Sequence, residues 1–216
     1  MGERDVPTPI DLCDPRDARE WERTAQERRG RTEIFQAFGR ELSGLGKSDS
    51  AVLDLGSGPG FLAAQLLDAL PALRLTLLDF SAAMHELARA RLGLRATSAN
   101  FVERSFKEAG WSQGLGLFDA VITNQAVHEL RHKKYASQLH AAVKEVLKPG
   151  GAYLVSDHFV GDGGLQNNLL YMTVAEQREA LLTAGFSDVQ LVAAAGSLVM
   201  HRATYIGLHS TAAGAI

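Results

Sequence analysis

Cysteine is almost absent from this chain. Cys13 stands alone, so no internal disulfide can form, and a reducing, cytoplasmic setting is expected. A large excess of charge of one sign is missing too. The formal net charge of -3 leaves no overall basic field, which weighs against nucleic acid or anionic lipid as a partner. No apolar run approaches the ~20 residues that span a bilayer, so no membrane partner is expected. The opening MGERDVPTPIDLCDP lacks an apolar signal core. Val6 stands where a myristoylation signal after Gly2 requires Ser or Thr. Metal-ligand spacing is also lacking: His128 and His132 are four apart with no third ligand in view, so no metal site is expected. There is no internal repeat and no low-complexity tract. What remains is 216 residues, 46% hydrophobic, enough for one globular domain with a substantial core. Nothing in the sequence fixes the oligomeric state.

Residues 1–15, with Pro7, Pro9 and Pro15, read as an extended arm. A helical segment follows, with Ile34, Phe35, Phe38, Leu42 and Leu45 on one face. Strands and helices then alternate. AVLDL (51–55) is a strand, followed by glycines and a helix from Phe61 that Pro71 stops. RLTLLDF (74–80) is a second strand, and Ser81 caps the helix AAMHELARAR. LRATSANFVER (94–104) reads as a third strand, then a short amphipathic segment near 105–111. FDAVITN (118–124) is a fourth strand. The helix carrying Tyr135, Leu139, Ala142, Val143 and Val146 ends at KPGG. AYLVSDH (152–158) is a fifth strand and 160–172 a loop. Thr173 and Glu176 have capping-box spacing for a helix ending at Gly185. Two strands joined at Gly196 close the pattern. The alternation specifies an α/β domain with a mostly parallel sheet covered on both faces. The last tight connection requires one antiparallel strand. Residues 1–45 are expected to be an N-terminal arm and helix capping a domain that spans 46–216.

The stretch VLDLGSGPG (52–60) places three glycines directly after the first strand. Gly56, Gly58 and Gly60 permit positive φ and remove the Cβ atoms that would hold a ligand off the backbone. Asp79 ends the second strand, beside the first in this topology, where its two oxygens can take both hydroxyls of a ribose. A dinucleotide fingerprint requires G-x-G-x-x-G. Here the sixth position is Phe61, and the acidic Asp54 precedes the turn. A carboxylate there disfavours a pyrophosphate and suits a cation. S-adenosylmethionine carries a sulfonium, an α-ammonium and a ribose, and no phosphate.

These segments resemble the signatures of the class I S-adenosylmethionine-dependent methyltransferases. VLDLGSGPG is similar to the first, LLDFS (77–81) to the second, FDAVITNQAVHEL (118–130) to the fourth and LKPGGAYLVSDH (147–158) to the fifth. The resemblance runs from about residue 50 to 207. It implies a Rossmann-like seven-stranded sheet of order 3-2-1-4-5-7-6 with strand seven antiparallel. It also implies S-adenosylmethionine as cofactor and S-adenosylhomocysteine as product. By the same resemblance Gly56, Ser57 and Gly58 line the methionine moiety through their backbone, with Asp54 nearby acting through water. Asp79 binds the ribose and Phe80 packs on the adenine. Ser105 stands where the family often has an adenine-contacting Asp, and Phe106 flanks the adenine. Asn124 and Gln125 meet the aminoacid end of the cofactor. Asn-Gln-Ala-Val replaces the Asn/Asp-Pro-Pro-aromatic run of nucleobase amino methylases.

His128, a few residues past the fourth strand, is the first candidate for proton transfer from the nucleophile, since an imidazole near pKa 6.5 suits it. His158 is the second. His85, His132, His140, His201 and His209 read as surface or structural. In-line attack on the sulfonium methyl depends mainly on alignment, so a base is optional. Substrate choice is assigned to 1–45 and 160–172, with Trp21, Asn167, Asn168 and Tyr171 as pocket candidates. The cluster Arg28, Arg29 and Arg31, interleaved with Glu27 and Glu33, reads as a solvated helix face, and RHKK (131–134) as a solvated helix start. The expected activity is methyl transfer to an oxygen, nitrogen or sulfur nucleophile of a small molecule. Alternatives are a catalytically silent cofactor-binding partner subunit, an RNA-modifying methyltransferase and a nicotinamide-dependent oxidoreductase. The missing sixth-position glycine weighs against the last.

Overall fold

A computed structural model describes residues 4–25 and 29–207. The glycine turn lies in the interior of the sheet because β1 (Ala51–Leu55) does. On one side β1 pairs in parallel with β2 (Arg74–Asp79), which pairs with β3 (Asn100–Glu103). On the other it pairs with β4 (Phe118–Asn124), which pairs with β5 (Leu147–His158). The hairpin of β6 (Ser187–Ala195) and β7 (Leu198–Thr204) completes the sheet, with β7 antiparallel to β5. The order is 3-2-1-4-5-7-6, as the resemblance implied. The chain reverses direction of assembly between β1 and β4, which opens a crevice at the carboxyl ends of those strands.

Period-two alternation sorts each strand between two apolar layers. Leu53, Leu55, Val121 and Tyr153 face the layer closed by α5 (Ala136–Val143) and α6 (Val174–Thr183). Val52, Leu75, Leu77, Ile122 and Leu154 face the layer closed by α2 (Arg31–Ser43) and α3 (Phe61–Ala69). The apolar face read from the sequence therefore does bury Ile34, Phe35, Phe38 and Leu42. α1 (Pro15–Ala25) lies beside α4 (Ala82–Leu92), tied by Arg91 to Glu22 at 2.5 Å. Ser81 caps α4 by accepting from the Met84 N–H at 3.1 Å. Thr173 and Glu176 make the reciprocal capping box of α6, a feature worth about 1 kcal/mol.

Three elements differ from the sequence reading. Residues 93–98 form a 3-10 turn, and the third strand begins only at Asn100. Gly93 turns the chain at φ 56°, and Arg95 then fastens the turn to the carbonyls of Leu92 and Ala64. The segment at 105–111 is a run of turns braced by Arg104, whose Nη1 donates to the Trp111 and Gln113 carbonyls. β5 starts five residues early: Leu147 pairs with Phe118, and the register then slips so that Ala152 meets Ala120. Pro149, which has no N–H to give, lies in that irregular stretch.

The arm is fastened at both ends. The Val6 N–H donates to the Arg131 carbonyl at 2.8 Å, while Arg131 returns bonds to the carbonyls of Val6 and Pro7. Asp5 meets Lys134 and the Tyr135 hydroxyl. At the other end the Ser81 hydroxyl donates to the Leu12 carbonyl at 2.5 Å. RHKK is thus engaged rather than simply solvated. Each member has a structural partner, His132 capping a 3-10 turn and Lys133 pairing with Glu176. Among the described residues no helix is long and apolar enough to cross a membrane, and no group of His, Cys, Asp and Glu is placed to hold a metal ion.

Candidate active site

One cavity of about 510 Å³ opens at the carboxyl ends of the central strands. That volume suits a small-molecule site. The residues expected to bind cofactor or move a proton all line it: Asp54, Gly56, Ser57, Gly58, Asp79, Phe80, Ser105, Phe106, Asn124, Gln125, His128 and His158. Pro9, Ile10 and Leu12 of the arm form part of the same wall.

The floor is the glycine turn. Gly56 has φ 75°, and a Cβ there would lie 2.5 Å from the Ala126 Cβ, so the two loops touch at bare backbone. Gly58 has φ 53°, and a Cβ on it would meet only open space. The N–H of Gly58 donates to Asp79 Oδ2 at 2.8 Å, and the Ser81 N–H donates to Oδ1 at 3.0 Å. Burial raises the Asp79 pKa to about 6, although these backbone donors oppose it. Burial, with Asp79 close by, raises the Asp54 pKa to about 7. Two neighbouring buried carboxylates are expensive unless a cation joins them. Asp54 Oδ2, Ser57 Oγ, Asn124 Oδ1 and Gln125 Oε1 are all buried and lack a hydrogen-bond partner. Each of these atoms can accept a hydrogen bond. The set fits a ligand that carries positive charge and N–H or O–H donors.

The opposite wall carries the histidines. Residues 127–130 form a 3-10 turn after β4 that brings His128 over the end of β5. His128 Nδ1 lies 2.6 Å from Asp157 Oδ1, and its backbone N–H donates to Oδ2 at 2.8 Å. Nε2 lies 3.4 Å from Glu129. Burial pulls the His128 pKa down, but Asp157 and then Glu129 outweigh it and raise it to about 10. The ring is therefore an imidazolium at neutral pH, not the ordinary imidazole that the sequence suggested. The same pairing holds Asp157 below the usual carboxylate range despite its burial. His158 lies 2.8 Å from the Gln125 amide and 2.7 Å from the Ser197 hydroxyl. The rings of His128, His158 and Tyr171 sit 5.5 to 5.9 Å apart.

Sequence reasoning missed Asp157, Glu129 and Ser197. Asp157 had a usable signal, since it occupies a strand end in the sheet's open half. Ser197 had none, because only the hairpin brings it to His158. Arg31 corrects the solvated-face reading. It is buried on the cavity wall, its guanidinium 4.6 Å from the Phe61 ring and 5.3 Å from Phe35, with Nη1 bonded to the Ala25 carbonyl. Arg28 and Glu27 lie outside the described residues. Trp21 and Tyr171 line the cavity. Asn167 and Asn168 do not: both are exposed, and Asn167 caps its own turn at Leu169 and Leu170. His85, His132, His140 and His201 are buried away from the cavity rather than at the surface, and His209 lies outside the described residues.

A seven-stranded sheet of this order, with a glycine turn and an acidic strand end at its crevice, defines the class I methyltransferase fold. Residues 52–151 match the family model described as a methyltransferase domain. Curated relatives include ribosomal RNA small subunit methyltransferase C of Citrobacter koseri, 36% identical over 113 residues, covering 50% of this chain and 32% of the relative. The same-named protein of Shewanella halifaxensis is 36% identical over 88 residues, covering 41% and 25%. The chain thus spans about a third of the length of the curated relatives it matches. Among solved structures, human N-acetylserotonin methyltransferase in complex with S-adenosylmethionine superposes with a TM-score of 0.67 at 20% identity, covering 90% of this chain and 57% of that one. An O-methyltransferase family protein from Burkholderia thailandensis gives 0.62 at 21%, covering 72% and 51%. Residues 52–151 thus match a methyltransferase-domain model, and the chain shares its fold with methyltransferases, one of them solved in complex with S-adenosylmethionine.

Proposed function

We propose that the chain transfers the methyl group of S-adenosylmethionine to a hydroxyl of a small molecule. The observation that carries this reading is His128, held between Asp157 and Glu129 on the cavity wall, facing the ring-lined end of the cavity. When bound, S-adenosylmethionine supplies an electrophilic methyl, to which the acceptor oxygen bonds as the carbon–sulfur bond breaks and leaves its electron pair on sulfur.

The chain's own residues do the rest. Asp79 accepts from the ribose hydroxyls, and Phe80 and Phe106 flank the adenine, with Ser105 at its rim. Asp54, Ser57 and the backbone of Gly56, Gly58, Asn124 and Gln125 surround the amino-acid end. Arg31, fixed by its aromatic neighbours, supplies the positive charge that the carboxylate of that end requires. His128 holds its proton at neutral pH, so its task is to pair with the acceptor oxygen after ionisation, the hydroxyl proton passing to solvent. Closeness and alignment then provide most of the acceleration. The arm and α1 close the cavity from above and exclude water.

The test is transfer of labelled methyl from the donor into a panel of small hydroxy compounds. Incorporation supports the reading. Tight donor binding with no incorporation into any acceptor favours a silent partner subunit instead. A second reading, methylation of RNA, is favoured by the curated relatives that match half of this chain. It requires RNA binding that weakens steeply with salt. Asn124-Gln125-Ala126-Val127 lacks the Pro-Pro-aromatic run associated with nucleobase amino methylation, which weighs against it.

A further inference from the structure

The arm walls the cavity without a core of its own. No residue from Arg4 to Asp17 is buried, and the first that is buried is Ala18 in α1. Pro9, Ile10 and Leu12 nonetheless line the cavity. A second space of about 400 Å³ is lined jointly by that stretch and by Phe80, Lys107 and Glu129. A segment so poorly packed stays closed through its fastenings and opens when they fail. The Leu12 end is the firmer one, since Leu12 also packs on Ala18, Ala83 and Met84. The other end depends on Arg131.

Arg131 has φ 65°, a left-handed conformation that a non-glycine residue holds only under constraint. Its N–H closes the 3-10 turn on the His128 carbonyl at 3.0 Å, and its carbonyl takes the Val6 N–H. Nε and Nη2 donate to the carbonyls of Val6 and Pro7 at 3.1 and 2.6 Å. Nη1 faces inward, 3.5 Å from Glu129 Oε2, and only 11% of the side chain is exposed. The other Glu129 oxygen lies 3.4 Å from His128 Nε2, and His128 Nδ1 is committed to Asp157. Four charges of alternating sign therefore run from Asp157 through His128 and Glu129 to Arg131, and Arg131 ends on the arm. Burial would raise the Glu129 pKa, but His128, then Arg131 and Lys107, outweigh it and hold it below the usual carboxylate range. Asp5, the nearby acid of the arm, is turned instead to Lys134 and Tyr135. Without charge on Glu129, the guanidinium would be left largely buried with its counter-charge gone. Swinging to water would then relieve it and would release both arm carbonyls.

We propose that Arg131 is a positioning residue that couples closure of the arm to the ion-pair chain on His128. The arm stays shut over the cofactor only while Glu129 carries its charge. Release of S-adenosylhomocysteine is thereby gated by the residues that hold the His128 ring in place. This rests on the cavity being the cofactor site proposed above.

Wild type, Glu129→Gln, Arg131→Met and the double variant are compared in two measurements. One is amide hydrogen exchange at Val6; the other is stopped-flow release of S-adenosylhomocysteine. Each single change should speed both at least tenfold, as expected for lost charge-assisted bonds. The double variant should stay within threefold of the faster single one, because both changes break the same chain. In Glu129→Gln the His128 ring nitrogens should also titrate at lower pH. Asp5→Asn, which cuts exposed contacts at the same end of the arm, should leave release within threefold of wild type. The melting shift induced by S-adenosylhomocysteine establishes that each variant is folded, and Glu129→Gln decides alone if Arg131→Met does not fold. Exchange or release unmoved by Glu129→Gln, an unmoved His128 titration, multiplying effects in the double variant, or equal acceleration by Asp5→Asn overturns the proposal and leaves the cofactor site standing. A wild type that fails to bind S-adenosylhomocysteine removes both.

Discussion

Replacing Asp157 by Asn isolates the ion pair beneath the candidate acceptor site. Asp157 is buried and serves three donors: His128 Nδ1–H, the His128 N–H and the His158 N–H at 2.7 Å. Asparagine keeps the shape and an accepting oxygen but removes the charge. Losing one member of a buried ion pair costs about 3–5 kcal/mol, and the retained oxygen places this change near 3. For a chain of this size that corresponds to a fall in Tm of about 6–12 °C. The pH dependence fixes the cause. The folded His128 pKa, about 10, lies above its unfolded value near 6.5. The stabilisation is therefore complete below pH 6.5 and disappears as pH rises through 10. Asp157 is shifted the other way, so its share is present above about pH 4 and is lost in acid. The gap between wild type and variant should be widest between about pH 4 and 6.5 and should shrink steadily toward pH 10. Thermal melts across that range measure it, and the imidazole nitrogen shifts of His128 follow the proton directly. A variant that melts within 2 °C of wild type at pH 6, or a wild-type His128 that titrates near 6.5, would refute the reasoning.

The two central glycines should separate folding from binding. Gly56→Ala combines a positive φ with a Cβ 2.5 Å from Ala126 and should cost roughly 2–4 kcal/mol in urea unfolding. Gly58→Ala, with open space around its Cβ, should cost only about 1 kcal/mol while weakening cofactor binding at least tenfold; equal destabilisation by the two changes would contradict the structure. Cofactor affinity should also depend on pH. Asp79 and Asp54 ionise near 6 and 7 in the ligand-free protein, and a cationic ligand favours their ionised forms. Affinity should rise from pH 5 to 7.5 and level off above, with about one proton released on binding at pH 6. Calorimetry in buffers of different ionisation enthalpy reads that proton, and a flat profile with no release would count against the carboxylate cradle.

The sheet was legible because its strands are short apolar runs punctuated by Gly and Pro, and their order followed once the four signature segments were placed. Boundaries failed where a side chain overrode the local pattern, as Arg95 does at 93–98, or where Pro149 and the two glycines after it allow a strand to continue irregularly. The cavity wall was legible wherever a residue sits at a strand end or in the glycine turn, since topology alone carries such positions to the crevice. What chain order hid was pairing across long separations. The charge of His128 depends on Asp157, 29 residues away, and the orientation of His158 on Ser197, 39 residues away. Arg31 was misread because its charged neighbours in sequence suggested solvent, whereas its neighbours in space are Trp21, Phe35 and Phe61.

A crystal structure with S-adenosylhomocysteine tests the reading of the cavity most directly. The ribose hydroxyls should lie within hydrogen-bond distance of Asp79, the amino group should face Asp54 and the backbone of Asn124, and the sulfur should point toward the space before His128 and Tyr171. A nucleoside lodged elsewhere, or a cavity still empty at saturating ligand, would contradict it.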